Sequence, residues 1–314
     1  MRSVTREVVR SYSSIGLNPV RLFRQGLELR RLHSDPVTAL TASLDRLREV
    51  EALMAEAYGR EIAGLDVLDV GPGQLLTQLV YFARRNRIVG VDRDVIVHGF
   101  APFRYLEMLR VNGLQRTVKT VGRKLLRVDA AHKSELIRQL ELRRFPRVDV
   151  RAMPAEDMTF ADASFDAVYA LAVFQHLARP DDVLRQMVRV LRPGGVLYTD
   201  FILYTSPTGA HDLRLADGGD SPLPTWAHLR PQYRHLVNQS AYLNRLRLQE
   251  WRALFDEVIP GAEIRRKQSN AELVRTEAEN LRREGELLDY ELDELCTTKV
   301  IVLWRKPDES TPAR

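Results

Sequence analysis

The sequence predicts an α/β fold in which helices cover both faces of a doubly wound, mainly parallel, Rossmann-like sheet. Two observations lead to this prediction. Short apolar runs alternate with segments of helical periodicity, and the first run, 65–70, ends in the glycine turn Gly71-Pro72-Gly73 ahead of a helical pattern. A strand, a glycine turn and a helix in this order are typical of the opening of a doubly wound unit. Strands that keep alternating with helices favour a parallel sheet.

The elements are predicted from periodicity, in chain order. We expect strands at 65–70, 87–91, 148–151, 165–171, 196–203, 263–267 and 298–304. We expect helices at 41–62, 74–85, 181–191, 246–255 and 271–295, with a long helical stretch over 97–145. These elements divide the chain into an N-terminal helical extension (1–60), a core (61–205) with a helical insertion at 97–147, and a region (206–314) that adds a loop and completes the sheet.

The composition is that of an ordinary globular chain. Of its 314 residues, 45% are hydrophobic and 28% are charged, and no apolar run is long enough to cross a bilayer, so we expect no transmembrane segment. The single cysteine, Cys296, cannot form an intrachain disulfide, which favours the reducing cytoplasm. Because Cys296 lies outside any nucleophile motif, we expect it to be a buried small hydrophobic side chain.

Positive charge is concentrated in two segments. Residues 1–32 contain seven arginines against Glu7 and Glu28, which predicts a basic amphipathic helix packed on the domain or, alternatively, an organelle-targeting segment. The stretch 97–147 contains twelve lysines and arginines against four acidic residues. Such a patch fits an anionic acceptor, a membrane surface or nucleic acid, and it equally fits a solvated helical face.

The glycine turn and two aspartates predict a nucleoside site. Gly71 and Gly73 allow the backbone to turn sharply and approach a ligand, while Asp69 is placed to attract a cationic group. Asp92 follows the second strand at about the interval over which such folds bring a carboxylate to the hydroxyls of a ribose. A nucleotide-dependent oxidoreductase shares this core, but its fingerprint needs a third small residue where this chain has Leu76.

Several motifs together resemble one family. The chain is similar to the class I S-adenosylmethionine-dependent methyltransferases, in particular their type 11 subgroup, through motifs that occur in order between about 65 and 201: Asp69-Val70-Gly71-Pro72-Gly73, Gly90-Val91-Asp92, 154–160, Ser164-Phe165-Asp166, Phe174-Gln175-His176-Leu177 and 190–195. The resemblance implies a seven-stranded sheet with an antiparallel last strand and S-adenosyl-L-methionine as cofactor. It also implies that 61–205 binds the cofactor and that 206–314 supplies the acceptor side.

The resemblance assigns cofactor-binding residues position by position. They are Asp69, Gly71, Pro72, Gly73, Asp92, Arg93, Ala155, Glu156 and Leu171. The chain departs from the family pattern at one place, because many relatives have an aspartate that meets the adenine amine where this chain has Pro154. Adenine contacts would then fall to the backbone around Ala155 and to Glu156.

Two histidines are candidates for the base that an oxygen acceptor requires. His176 follows the fourth strand and titrates near neutrality as an ordinary histidine does; its alternative role is to shape the pocket through local hydrogen bonds. His211 forms a second candidate with Asp212, and Asp200 could join them. An oxygen-rich site for a divalent cation in this loop is a weaker alternative, and we predict no metal.

The segment from Trp226 to Arg245 resembles, more loosely, the acceptor side of methyltransferases from polysaccharide and natural-product pathways. Trp226 and Tyr233 either stack on a sugar or aromatic acceptor or pack in the core. We therefore predict a methyltransferase that acts on a small molecule, by O-methylation of a glycan, glycolipid or natural-product precursor. An RNA methyltransferase and a non-catalytic, cofactor-binding regulatory protein are the alternatives.

The predicted partner is a small-molecule acceptor, either anionic or sugar-containing. Nucleic acid is compatible with the basic insertion but is not favoured, because the Asn-Pro-Pro-aromatic signature of amine-directed nucleic-acid methyltransferases is absent. A homodimer is also compatible with the chain.

Overall fold

The structure, a computed structural model, describes residues 36–97, 102–125, 128–215, 223–239, 241–268 and 271–308. The basic segment 1–32 and the helix predicted there lie outside these residues. Within the described ranges, no helix is both long enough and apolar enough to span a bilayer.

Seven strands among the described residues form one sheet. They are β1 (Asp66–Val70), β2 (Arg87–Asp92), β3 (Asp149–Ala152), β4 (Phe165–Leu171), β5 (Leu191–Ile202), β6 (Glu263–Lys267) and β7 (Lys299–Arg305), in the order β3-β2-β1-β4-β5-β7-β6. β1 runs parallel to β2 and β4, and β2 runs parallel to β3. β7 is antiparallel to β5, because the Leu203 N–H donates to Thr298 (3.1 Å) and the Lys306 N–H donates to Gly195 (2.9 Å). The predicted Rossmann-like sheet with an antiparallel last strand is confirmed.

The helices follow the predicted alternation with the strands. They are α1 (Pro36–Tyr58), α2 (Thr77–Ala83), α3 (Pro102–Leu125), α4 (Val128–Gln139), α5 (Pro180–Val190), α6 (Leu248–Val258), α7 (Ala271–Arg283) and α8 (Leu292–Cys296). α1 buries one stripe of side chains at helical spacing: Leu40, Leu44, Leu47, Val50, Met54 and Tyr58. Cys296 is buried, as expected.

Two predicted boundaries are wrong. β5 begins at Leu191 rather than at 196, because the Gly194 N–H donates to Lys306 (2.9 Å) and this bond extends the pairing with β7 through the Pro-Gly-Gly stretch. The helix predicted over 271–295 is two helices, α7 and α8. The chain leaves α7 through Gly285, whose φ is +85°, and the Glu286 N–H donates to Leu281 (2.9 Å). A left-handed glycine is a common helix stop.

The described residues fall into two compact units, each assembled from separated parts of the chain. The first unit, with the gaps given above, comprises 36–171, 182–198 and 303–308. The second unit comprises 172–181 and 199–302. The contiguous division of the chain at 60 and 205 remains a prediction.

Arg192 joins the starts of β1 and β4 in the first unit. Its guanidinium lies 2.8 Å from an oxygen of Asp166 and donates to Asp66 at 3.1 Å. The Asp66 N–H also donates to Asp166 (2.9 Å), so one carboxylate serves both groups. Hydrogen bonds from Arg87 and then Arg192 hold the pKa of Asp66 below its usual range, although partial burial opposes this.

The end of the described chain returns to the first unit and closes α5. The Lys306 ammonium donates to the carbonyl oxygens of Val188 (2.8 Å) and Leu191 (2.7 Å). These carbonyls lie at the end of the helix, where backbone acceptors have no partner within the helix. A cation placed there also interacts favourably with the helix dipole.

An aromatic cluster fills the core of the second unit. Phe201 lies in β5 and contacts Trp251 of α6 with ring centroids 4.4 Å apart. Phe174 packs 6.3 Å from Phe201, and Phe255 lies 5.8 Å from Trp251. All four side chains are almost completely buried. The cluster therefore supports the short 3₁₀ turn Phe174–His176 that carries a candidate histidine.

Replacing Gly195 with alanine should destabilise the first unit. The new Cβ would lie 2.8 Å from the Asp166 carbonyl oxygen and 2.9 Å from that of Arg192, so the backbone has to move. We expect the free energy of unfolding, measured by urea denaturation, to fall by about 2–3 kcal/mol. Gly59→Ala is the control, because its Cβ would meet nothing within 4 Å and only its φ of +78° is strained. This control should lose about 1 kcal/mol, and equal losses would contradict the argument.

Candidate active site

The predicted cofactor residues follow the carboxyl ends of neighbouring parallel strands in the first unit. β1, β2, β3 and β4 end at Val70, Asp92, Ala152 and Leu171. Parallel strands present these ends along one edge of a sheet, where Rossmann-like folds bind ligands. The structure thus brings together the residues that the sequence predicted: Asp69, Gly71, Pro72, Gly73, Asp92, Arg93, Ala155, Glu156 and Leu171. Their roles stay predictions.

The turn after β1 packs tightly against β2. Gly71 has a φ of +77° and its N–H donates to Val91 (2.8 Å), while Gly73 has a φ of +68°. A Cβ placed on Gly90 would lie only 3.0 Å from Cγ of Pro72. Gly90 therefore allows the turn to approach β2. This role of Gly90 was not predicted from its motif, although a glycine inside an apolar strand is a signal of close backbone approach.

Asp69 is completely buried at the end of β1. Its Oδ1 accepts a hydrogen bond from the Gln78 amide (2.8 Å), whereas Oδ2 has no hydrogen-bond partner among the described residues. Burial, with a smaller contribution from the nearby Asp92, raises the pKa of Asp69 to about 8, although hydrogen bonds from Gln78 and Tyr169 oppose the shift. A cationic ligand would favour the ionised carboxylate. The contact of Gln78 with Asp69 was not predicted. Its only sequence signal is the position of Gln78 in the helix that follows the turn, seven residues after Gly71.

Tyr169 lies opposite Asp69 in the register of β1 and β4. Its hydroxyl is buried and close enough to the Asp69 carboxyl to interact with it, but neither Asp69 Oδ2 nor this hydroxyl meets a partner at full hydrogen-bond geometry among the described residues. Burial, together with the neighbouring Asp69 carboxyl, raises the pKa of Tyr169 well above its usual value. Two adjacent buried oxygens therefore have unused hydrogen-bonding capacity, which is costly unless a ligand meets it. These residues fit a group that carries positive charge and N–H donors, as the methionine portion of S-adenosylmethionine does.

The segments after β2 and β3 are tied to each other. The Met153 N–H donates to the Asp92 carbonyl (3.0 Å), and Arg93 forms an ion pair with Glu156. Oδ1 of the half-buried Asp92 carboxylate accepts a bond from the Asp94 N–H (2.9 Å). Arg93 and Glu156, which the resemblance assigned to the cofactor, thus bind each other.

In the second unit, His176 is held by hydrogen bonds on both ring nitrogens. Its Nδ1 lies 2.8 Å from the Tyr242 carbonyl oxygen, which only accepts, so Nδ1 carries the proton. Nε2 lies 3.3 Å from the amide nitrogen of Gln175, which also donates to Ala172 (3.0 Å). Burial lowers the pKa of His176, and the bond to Tyr242 opposes this. Both ring nitrogens of His176 thus have hydrogen-bond partners and the ring is firmly oriented, which supports its shaping role more than the role of a base.

His211 lies beside His176, so the structure brings the two predicted histidines together. Their ring centroids are 4.8 Å apart in an edge-to-face arrangement. Burial, with smaller contributions from the neighbouring His176 and His228, lowers the pKa of His211 to about 4. His211 also has a φ of +51°, which is uncommon for a residue other than glycine and is often found at functional sites.

The predicted pairing of His211 with Asp212 needs a correction. Both carboxylate oxygens of Asp212 bind Arg214, at 2.9 and 2.6 Å, and one also accepts the Asn238 N–H (2.7 Å). Burial of Asp212 favours the neutral acid, but these hydrogen bonds outweigh it and hold its pKa below the usual range. A guanidinium two residues away satisfies the carboxylate better than an imidazole does, because it offers two parallel donors. Asp212 therefore anchors its own loop.

Asp200 lies elsewhere in the second unit's hydrogen-bond network. Its Oδ1 accepts the Ala172 N–H (3.1 Å), and its Oδ2 lies 3.5 Å from the Lys299 ammonium. Asp200 thus fixes the chain where it leaves β4, at Ala172, whose φ is +56°. In the described ranges, no group of three or more histidine, cysteine, aspartate or glutamate side chains is arranged to hold a metal ion.

Trp226 belongs to a hydrophobic core, so of the two predicted alternatives, stacking on an acceptor or packing in the core, its side chain takes the second. Its side chain is completely buried among residues that include Leu281 and Leu295, and its indole N–H donates to the Thr205 carbonyl (3.0 Å). Tyr233 is half-buried beneath the Arg230 guanidinium, 4.4 Å from the ring centroid. Apolar neighbours on several sides explain the burial of Trp226, and sequence periodicity could not show them.

Comparison with known proteins agrees with this geometry. A family profile described as a methyltransferase domain matches residues 112–199. The chain is 45% identical over 64 residues to 27-O-demethylrifamycin SV methyltransferase of Amycolatopsis mediterranei, covering 20% of this chain and 24% of that protein. It is 33% identical over 100 residues to a ubiquinone biosynthesis O-methyltransferase of Sinorhizobium medicae, covering 32% of this chain and 39% of the relative. The chain thus matches less than half the length of either relative.

One similar solved structure is that of a putative sarcosine dimethylglycine methyltransferase from Galdieria sulphuraria. It is 17% identical with a TM-score of 0.44, and the match covers 87% of this chain and 91% of that one.

The strand order, the glycine turn and the acidic residue at the end of β2 are those of a Rossmann-like domain. Together with the matching methyltransferase domain profile and the methyltransferase relatives, they support a class I S-adenosylmethionine-dependent methyltransferase with S-adenosyl-L-methionine as cofactor.

Replacing Asp69 with asparagine should weaken cofactor binding without weakening the fold. The folded-state pKa of Asp69, about 8, lies above its ordinary value of 3.8, so its stabilising contribution is complete below pH 3.8 and is lost as the pH rises through 8. The ligand-free variant should therefore be more stable than the wild type at pH 8 by calorimetry. Its affinity for S-adenosylmethionine should fall by about 10–100-fold, because a charged partner is lost. Unchanged affinity in isothermal titration would contradict the assignment.

Acid should destabilise the second unit through its buried histidines. Burial lowers the pKa values of His211 and His228 from 6.5 to about 4, so the stability they contribute is complete above pH 6.5 and is lost as the pH falls to 4. His228→Gln should flatten the dependence of the unfolding free energy on pH over this window by up to about 3 kcal/mol. His235→Gln, at an exposed position, is the control and should leave the slope unchanged. An identical slope in both variants would refute the argument.

Proposed function

We propose that the protein transfers a methyl group from S-adenosylmethionine to an oxygen atom of a small molecule. The observation that carries the proposal is the buried pair of Asp69 and Tyr169, whose oxygens lack partners among the described residues at the edge where the family binds its cofactor. When bound, the cofactor supplies a methyl group on a positively charged sulfur, which is already activated for transfer. The protein mainly has to bind the cofactor and the acceptor, orient them, and remove a proton from the acceptor.

In this proposal the first unit holds the cofactor. The Asp69 carboxylate balances the positive charge, and its Gln78 hydrogen bond keeps it oriented. The backbone at Gly71 and Gly73 turns without side chains, which allows close approach to the ligand. The carboxylate of Asp92, which ends β2, binds the ribose hydroxyls. The ion pair of Arg93 with Glu156 keeps the adenine-side segment in place.

We propose that His211 acts as the base and that His176 is a positioning residue. Nε2 of His176 already faces the Gln175 amide, which leaves that lone pair less available. His211 has a pKa of about 4, so it is neutral at physiological pH and can accept a proton from the acceptor hydroxyl as the methyl group moves. The edge-to-face contact with His176 fixes the plane of the His211 ring.

The class of acceptor is proposed from two supports. The names of both relatives specify O-methylation of small molecules, a rifamycin precursor in one and an intermediate of ubiquinone biosynthesis in the other. In the second unit, Arg234 and Arg245 lower the pKa of the buried His228, which shows that positive potential reaches this part of the protein. An anionic group on a glycan, glycolipid or natural-product precursor fits that potential.

The test is a methylation assay with S-adenosylmethionine carrying a labelled methyl group and a panel of hydroxyl-bearing glycans, lipid-linked sugars and phenols. We expect product with at least one class. His211→Asn should lower kcat by about 10²–10⁴-fold with unchanged affinity for the cofactor. His176→Asn should have a smaller effect, and His235→Asn, at an exposed position, should have none.

Failure to methylate any acceptor, with cofactor binding intact, would instead favour a non-catalytic regulatory protein. Methylation of RNA in the same assay would replace the small-molecule proposal.

A further inference from the structure

Helix α3 is anchored to the first unit by one face. Met108 is completely buried against Val95 and Val97, which follow β2. Asn112 binds the backbone of Val95 twice: its Oδ1 accepts the N–H (2.8 Å) and its Nδ2 donates to the carbonyl (3.0 Å). These contacts fix which side of the helix points away from the unit.

The other face of α3 is apolar and exposed. Phe103 is 83% exposed, and six further large apolar side chains on the helix are also exposed: Leu106, Leu109, Val111, Leu114, Val118 and Val121. Residues three or four apart, such as 103, 106 and 109 before Gly113 and 114, 118 and 121 after it, lie on one side of a helix. Globular proteins rarely expose so many large apolar side chains on a single element, and such surfaces usually mark an interaction site.

Glycine divides this surface into two parts. Gly113 has a φ of +79° and a ψ of 167°, so the helical backbone is interrupted there, and the Thr117 hydroxyl donates to the Gly113 carbonyl (2.9 Å). Phe103, Leu106, Leu109 and Val111 precede the interruption, whereas the other three residues follow it. Each part of the helix therefore presents its own short apolar stripe.

The charge of α3 indicates what covers this face. Its sequence contains six basic residues and one acidic residue: Arg104, Arg110, Arg116, Lys119, Arg123, Lys124 and Glu107. Lysines and arginines interleaved with large apolar residues are typical of helices that lie in the interface of an anionic bilayer, with the apolar residues among the acyl chains and the cations at the headgroups.

Charge also argues against the other occupants. The segment 1–32 has seven arginines against two glutamates, so it would repel α3 rather than cover it. Nucleic acid would be attracted by the charge but would gain little from exposed leucine and valine side chains, because its backbone and base edges are polar.

From these observations we infer that α3 docks on the surface of membranes that contain anionic lipid. The exposed apolar side chains become buried among the acyl chains, and the positive charge of the helix is attracted to the anionic headgroups. This surface is independent of the proposed methyl transfer, since it uses none of the residues placed in that reaction.

The test is flotation of the full chain with vesicles of phosphatidylcholine alone or with 30% phosphatidylglycerol (roughly the anionic content that makes such surfaces attractive). We expect binding to the anionic vesicles, little binding to the neutral ones, and a decrease as salt rises. Phe103→Glu and Leu114→Glu should each lower the vesicle partition constant by roughly tenfold or more, because an apolar contact is replaced by a repelled charge.

Matched controls are available on another helix and in a turn. Leu273 is 69% exposed and Leu288 is 60% exposed, and neither lies on α3. Leu273→Glu and Leu288→Glu should bind vesicles as the wild type does. All four variants should keep the wild-type thermal midpoint, since the replaced side chains are exposed.

Three results would overturn the inference. The first is no binding of the wild type to anionic vesicles. The second is equal loss in the control and α3 variants. The third is vesicle binding that depends on charge alone, together with a salt-sensitive complex with RNA. This complex would be tighter than the one with vesicles, and Phe103→Glu would leave it unchanged.

Discussion

The cost of burying one carboxyl group dominates the first unit. Asp69 ends a strand with a partner on each side, so water does not reach it, and Gln78 satisfies only one of its oxygens. Burial of an ionised carboxylate without a counter-charge is expensive, which is why its pKa rises to about 8. The free protein therefore holds Asp69 in the neutral form at physiological pH. Binding of a cation makes ionisation favourable, so charge recognition and proton release are coupled at this position.

The second unit avoids a comparable charge by keeping its histidines neutral. His176, His211 and His228 are all desolvated, and a proton on any one of them would be costly in that environment. Hydrogen bonds to the carbonyls of Tyr242 and Tyr204 fix the orientation of two of these rings. Proton transfer to these histidines depends on how their rings are oriented more than on their basicity. This contrasts with the carboxyl of the first unit, whose charge state changes with its ligand.

The sequence predicted the sheet well because its signals are local. An apolar run followed by Gly71-Pro72-Gly73 needs no distant partner to be recognised, and parallel strands then bring Asp69 and Asp92 to one edge. The role of Tyr169 depends on strand register, which places it opposite Asp69. Register between strands about a hundred residues apart is not contained in either segment alone.

The features that the sequence predicted wrongly or left open also depend on distant partners or on side-chain contacts. The extension of β5 to Leu191 depends on Lys306, which lies far along the chain and supplies the pairing. Asp212 was assigned to its sequence neighbour His211, but Arg214 offers two donors and binds it instead. Trp226 is aromatic and polar at one edge, so sequence alone left open whether it packs or binds; its neighbours in α7 and α8 decide the question.

The return of residues 303–308 to the first unit affects the order of events during protein synthesis. Strands β1 to β4 leave the ribosome early, but the end of α5 stays uncapped until Lys306 has emerged. All of the second unit is translated in between. Domains usually fold from the N-terminus as they are made. Here the first unit makes its final hydrogen bonds only after the second unit has been translated. Until then the nascent chain has an incomplete sheet edge, which has to be covered or bound by chaperones.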